Sequence, residues 1–194
     1  LTTASLRQQL SGKAASAILK KFLRLFGITS EEGSDKEITS ERKPKIFPTP
    51  QEVRVIDVQT YRDAGLSYRK AEYLHSLADK FIDGSITSEG LLNMDDEEIS
   101  KLLCSVKGIG QWTVDMFLMF DLKRPNILPV GDLGVRKGMS QHFQMKAGAK
   151  KGNKTKSSGP EEMIEAAQVW EPYRSIGAYY MWQLLDIKTV EKEK

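Results

Sequence analysis

The sequence is poor in the residues that build metal and redox centres. One cysteine among 194 residues, Cys104, excludes an internal disulfide and any structural zinc or iron-sulfur site drawing four cysteines from this chain. On the Leu102-Leu103-Cys104 run it reads as a small buried hydrophobe. The only histidines, His75 and His142, have neither ligand nor triad spacing and receive no role. Long apolar runs are also missing. The longest, around Met116 to Phe120, falls far short of the ~20 residues of a membrane span and does not resemble a signal peptide. No membrane partner is expected, and the protein should be nuclear in a eukaryote and cytoplasmic otherwise. Alternating apolar and polar runs between hairpin turns are scarce, which argues against a β class. Charge of either sign is nearly balanced. A net +3 and a pI near 8.8 suit a polyanionic partner without identifying one.

What the chain does have is helical periodicity, and its 40% hydrophobic residues suffice for a core without staples. The expected fold is all-α. Ser11 can cap a helix reaching Phe26, with Gly27 as its stop. Thr49-Pro50-Gln51-Glu52 combines a cap, a first-turn proline and a capping-box glutamate, so a helix should run from there to about Gly65. Ser67 opens another, ending at Gly84, and Asp95 with Glu98 opens the next. The helix after Gly110 is apolar on nearly all sides and should be buried. Helices near Asp132 to Phe143 and Pro160 to Gln168 precede a last one bearing Tyr179, Tyr180 and Trp182. The charged, proline-ended stretch 29–48 and the Lys/Gly/Ser-rich stretch 146–159 read as flexible loops. Leu1 already lies in helical sequence without an initiating methionine, so an N-terminally truncated fragment is expected, forming one domain over 1–194 and a monomer.

The segment Val106-Lys107-Gly108-Ile109-Gly110-Gln111-Trp112 sits between an amphipathic helix and the apolar one. Its glycines permit a tight turn and close backbone approach to a ligand. The amides that open the next helix are suited to a phosphate. Ile109 can fold inward and Lys107 adds charge at the rim. An isolated G-x-G is more often a plain helix-helix turn with a glycine C-cap. Asp132, after Pro129-Val130-Gly131, is likewise a favoured N-cap residue in its own right.

Together, Val106 to Thr113 and Leu128-Pro129-Val130-Gly131-Asp132 resemble the helix-hairpin-helix and Gly/Pro-Asp signature of the DNA glycosylase superfamily, closest to its alkylpurine, or 3-methyladenine, branch. Gln8-Gln9-Leu10-Ser11, Gly65-Leu66-Ser67, Lys70-Ala71, Pro172-Tyr173-Arg174-Ser175 and Tyr180-Met181-Trp182 extend the likeness over most of the chain. The resemblance implies two helical subdomains flanking a DNA-binding cleft, and hydrolysis of the N-glycosidic bond of an alkylated purine flipped out of double-stranded DNA. It implies Asp132 as catalytic carboxylate. Lys107, Gly108, Ile109, Gly110 and Thr113 become backbone-gripping residues. Leu10 becomes a wedge in the duplex, with Gln9 and Ser11 in the minor groove, although a leucine more commonly packs in a core. Trp112, Trp182 and Tyr179 become walls of the base pocket, although aromatic residues at helical spacing are more often core.

Superfamily members that also cut the strand carry a lysine after the position of Gln111; here Trp112 stands there, which implies base removal without lyase activity. No metal or organic cofactor enters the expected chemistry; a monovalent cation held by hairpin carbonyls at a phosphate is consistent with the superfamily. The shortness of Ser11 leaves a second reading open, a protein of the same fold that binds damaged or abasic DNA and excises little.

Overall fold

The computed structural model describes residues 12–28, 47–145 and 159–192. Gln9, Leu10 and Ser11 lie outside them, as does nearly all of 29–48 and 146–159. Every regular element among the described residues is helical, in keeping with the all-α expectation. The chain divides into two compact units, Leu1–Thr113 and Val114–Lys194.

The first unit begins with α1 (Gly12–Arg24), stopped at Gly27, whose φ of +69° suits a residue without a side chain. The helix expected from Thr49 to Gly65 is two helices, α2 (Pro50–Val55) and α3 (Val58–Asp63). Both halves of the Thr49 capping box form. The break follows from a second cap signal that the apolar pattern hides. Ile56 turns extended, and the Asp57 carboxylate accepts the Thr60 amide at 3.0 Å. Ser67 caps α4 (Tyr68–Ile82) as expected. Thr87 caps a short helix the periodicity does not announce, α5 (Ser88–Asn93), and Asp95 with Glu98 boxes the start of α6 (Asp96–Cys104).

Phe22 and Tyr61 form the centre of this unit's core, both fully buried, with ring centroids 5.9 Å apart. The Tyr61 hydroxyl donates to the Val53 carbonyl at 2.6 Å, which ties α3 to α2. Burial holds the Tyr61 phenol well above the usual tyrosine range.

The division between the units falls inside α7 (Gln111–Met116). This helix leads into a π-helical turn, Phe117–Asp121. Because a π turn takes up more residues than an α turn, it shifts which side chains face inward. Phe117, Leu118 and Met119 are buried, but Phe120 is 44% exposed. The expectation of an all-round buried helix therefore fails at Phe120. It also overlooked Asp115, a buried carboxylate in the same run.

The second unit continues with α8 (Leu133–His142), α9 (Pro160–Ala166), a 3₁₀ turn (Ala167–Trp170) and α10 (Arg174–Lys192). Helices α8 and α10 pack closely because α8 presents glycine. A Cβ on Gly138 would lie 2.6 Å from the Met181 carbonyl oxygen of α10, so no other residue fits without moving one helix.

Candidate functional site

In the first unit, the hairpin grows out of the end of α6. The Val106 amide donates to the Leu103 carbonyl, and the Ile109 amide turns back onto the Val106 carbonyl, each at 3.1 Å. Gly108 closes the turn with φ +85° and lies flat on the ring of Tyr73 from α4, in space a Cβ would need. Ile109 is buried, as its place between two glycines suggests, and anchors the turn from beneath. Gly110 differs from Gly108. A Cβ there would meet no atom of the protein, and its φ is ordinary.

Thr113 is fully buried, and its amide donates to the Gly110 carbonyl at 2.9 Å. Its hydroxyl is buried without a hydrogen-bond partner among the described residues. Lys107 is exposed and pairs with Glu72 of α4 at 3.2 Å. Cys104, expected in the core, is exposed instead. Its thiol faces the Gln111 side-chain oxygen at 3.7 Å, because the buried positions of α6 are Ile99 and Leu103. Trp112 is half-buried at the start of α7.

In the second unit, Asp132 is the N-cap of α8. Its Oδ1 accepts the Val135 amide at 2.8 Å and the Trp182 indole N–H of α10 at 2.8 Å. The carboxylate stands at the N-terminal end of a ten-residue helix. The cap role and a chemical role thus coincide in one group. The segment leading to Asp132 is tied down by Ser175 and Arg174. The Ser175 hydroxyl donates to the Arg124 carbonyl at 2.7 Å and accepts the Ile127 amide at 2.9 Å. Its own amide donates to the Pro125 carbonyl at 2.9 Å, while Arg174 Nε donates to Asn126 at 2.8 Å. The Pro172-Tyr173-Arg174-Ser175 stretch is therefore a clamp on residues 124–127.

Of the three aromatic residues expected to line a base pocket, Trp182 stands beside Asp132, its ring stacked on that of Phe120 at 5.9 Å. Tyr179 is exposed and meets Tyr180 edge to face. Trp112, the third, belongs to the first unit; Trp170, outside this set, covers Gly177 and joins the rings of His142 and Phe143. Among the described residues no three His, Cys, Asp or Glu side chains are grouped so as to hold a metal ion, and no helix is long and apolar enough to cross a membrane.

Sequence reasoning missed Tyr73, Glu72 and Gly134, and gave Ser175 no role beyond its place in the likeness. Only Gly134 left a usable trace, its four-residue spacing from Gly138, which places both glycines on one face of α8.

Residues 3–162 match the family model described as HhH-GPD superfamily base excision DNA repair protein. A putative DNA-3-methyladenine glycosylase of Bacillus subtilis is 31% identical over 183 residues, covering 93% of this chain and 56% of its own length. DNA-3-methyladenine glycosylase 1 of Schizosaccharomyces pombe is 33% identical over 177 residues, 91% of this chain and 67% of its length. Among solved structures, the Schizosaccharomyces pombe 3-methyladenine DNA glycosylase in complex with abasic DNA superposes with a TM-score of 0.72 at 31% identity, covering 94% of this chain and 77% of that one. This chain thus spans little more than half the length of the Bacillus subtilis relative.

Proposed function

The chain belongs to the HhH-GPD superfamily of base excision DNA repair proteins, and from that premise we propose that it is a monofunctional DNA glycosylase removing alkylated purines from double-stranded DNA. The observation that carries this reading is Asp132, an N-cap carboxylate whose Oδ1 is held by two donors from two helices. Relatives named 3-methyladenine glycosylases support the substrate class.

As a purine departs, positive charge develops on the deoxyribose, and a fixed carboxylate stabilises that charge. The same carboxylate can orient the attacking water or take its proton. A ring-alkylated purine that is already cationic leaves without a general acid, so a single carboxylate suffices. Trp112 stands where a strand-cutting relative would present a lysine amine, so the product is an abasic site in an uncut strand.

The hairpin supplies the grip. Gly110 has no neighbour within the protein to exclude a side chain, and its bareness is accounted for by a phosphate approaching from outside. A monovalent cation at that phosphate would be held by main-chain carbonyls of the hairpin; it would add charge to the grip and take no part in bond cleavage. Gln9, Leu10 and Ser11 keep the wedge and minor-groove roles the resemblance gives them.

The test is release of free base from duplexes containing 3-methyladenine, 7-methylguanine or ethenoadenine by the parent and by Asp132→Asn. Release by the parent, its loss in the variant, and DNA binding retained by both are expected. Binding to damaged duplex without release from any substrate would replace this reading with that of a damage-binding protein.

A further inference from the structure

We infer that Trp182 is a positioning residue that fixes the plane of the Asp132 carboxylate, and that Gly134 is glycine so that the indole can reach it. The inference rests on the reading of Asp132 as the catalytic group and gives Trp182 a role besides that of a wall of the base pocket.

Three observations support it independently. The indole N–H meets Oδ1 at 2.8 Å, the length of a charge-assisted hydrogen bond. That oxygen already accepts the Val135 amide of its own helix. A cap bond alone leaves the carboxylate free to swivel about its side-chain torsion, whereas a second donor arriving from α10 fixes its plane.

The approach of the indole also depends on Gly134. A Cβ at this position would lie 2.6 Å from indole Cδ1, 2.9 Å from Nε1 and 3.1 Å from Asp132 Oδ1. Any side chain there must push away either the ring or the carboxylate. Gly138, one turn on, does the same for the backbones of the two helices at Met181. The glycine pair thus serves the bond and the helix spacing that delivers it.

Finally, the ring is braced. Phe120 stacks on it at 5.9 Å with 28° between planes, so one face is covered and the N–H edge is committed to Asp132. A ring so braced is held in place to orient its neighbour.

Trp182→Phe separates the two roles, since it keeps an aromatic face and deletes the donor. Single-turnover base release should fall about tenfold or more, the consequence of losing a hydrogen bond to a charged group. The Kd for damaged duplex should stay unchanged. Gly134→Ala, which retains the indole donor but displaces it, should give the same split between rate and affinity and should add little to Trp182→Phe in the double variant. Melting temperatures of the variants check that they fold.

A second measurement does not need activity. The Trp182 indole proton resonance should move upfield in Asp132→Ala and in Gly134→Ala, while those of Trp112 and Trp170 stay in place. Full release by Trp182→Phe, or an indole resonance indifferent to Asp132→Ala, would overturn the inference. A parent that releases no base would overturn the glycosylase reading instead, and the resonance would still decide whether Trp182 holds Asp132.

Discussion

The ring of Tyr73 occupies the space into which a Cβ on Gly108 would project. Gly108 therefore has two reasons to be glycine, its positive φ and its seat on an aromatic face, whereas Gly110, two residues on, has neither. Substitution should separate them. Gly108→Ala should lower stability by about 1–3 kcal/mol from backbone strain, with more from the clash, and weaken DNA binding as the turn shifts. Gly110→Ala should melt like the parent and still bind DNA less well. Denaturant unfolding and a DNA titration on the two variants would show this; equal behaviour would mean that Gly110 is not at the phosphate contact.

Lys107 and Glu72 form an exposed ion pair at the hairpin's edge, so each should act on DNA through charge and little on folding. Lys107→Ala should weaken binding to all duplexes alike and flatten the plot of log affinity against log salt by about one charge. Glu72→Gln should do the reverse, strengthening binding a few-fold at low salt by releasing the ammonium to the DNA. Weaker binding by Glu72→Gln would show instead that Glu72 aims Lys107.

Ser175 holds the segment before Asp132 through hydrogen bonds at both sides of its hydroxyl. Ser175→Ala leaves the Ile127 amide and the Arg124 carbonyl short of that partner. Stability should drop by about 1–3 kcal/mol, and base release should slow while DNA affinity holds. A calorimetric scan and a single-turnover assay on one preparation would measure both.

Tyr61 gives a pH prediction. Its phenol is raised above the usual range by burial, so its contribution to stability is complete below the pKa of an unfolded tyrosine and is lost as pH rises through and beyond that value. Tyr61→Phe should be about 1 kcal/mol less stable near neutrality, where the bond to the Val53 carbonyl is lost. It should lose stability less steeply than the parent above pH ~10, the ordinary tyrosine range. Thermal melts across that alkaline range would reveal it.

Cap chemistry was the most legible layer of the sequence. Thr49, Ser67, Asp95 and Asp132 each begin a helix where a side-chain acceptor meets the first free amides. Asp57 shows the limit, since an aspartate inside an apolar repeat can equally be a surface residue, and only packing decides that a new helix starts there. Phe120 was misread for a related reason. A π turn changes the phase of a helix without any residue type that marks it. The hairpin and the carboxylate could be read because their residues are contiguous. Tyr73 under Gly108, Glu72 beside Lys107 and Trp182 on Asp132 come from distant parts of the chain, where no spacing rule reaches.

The boundary inside α7 assigns the hairpin to one compact unit and the carboxylate to the other. Grip and chemistry can therefore be probed by substitutions in different units. Under the proposed reading, a substitution confined to the second unit should lower base release and leave the hairpin's hold on DNA in place.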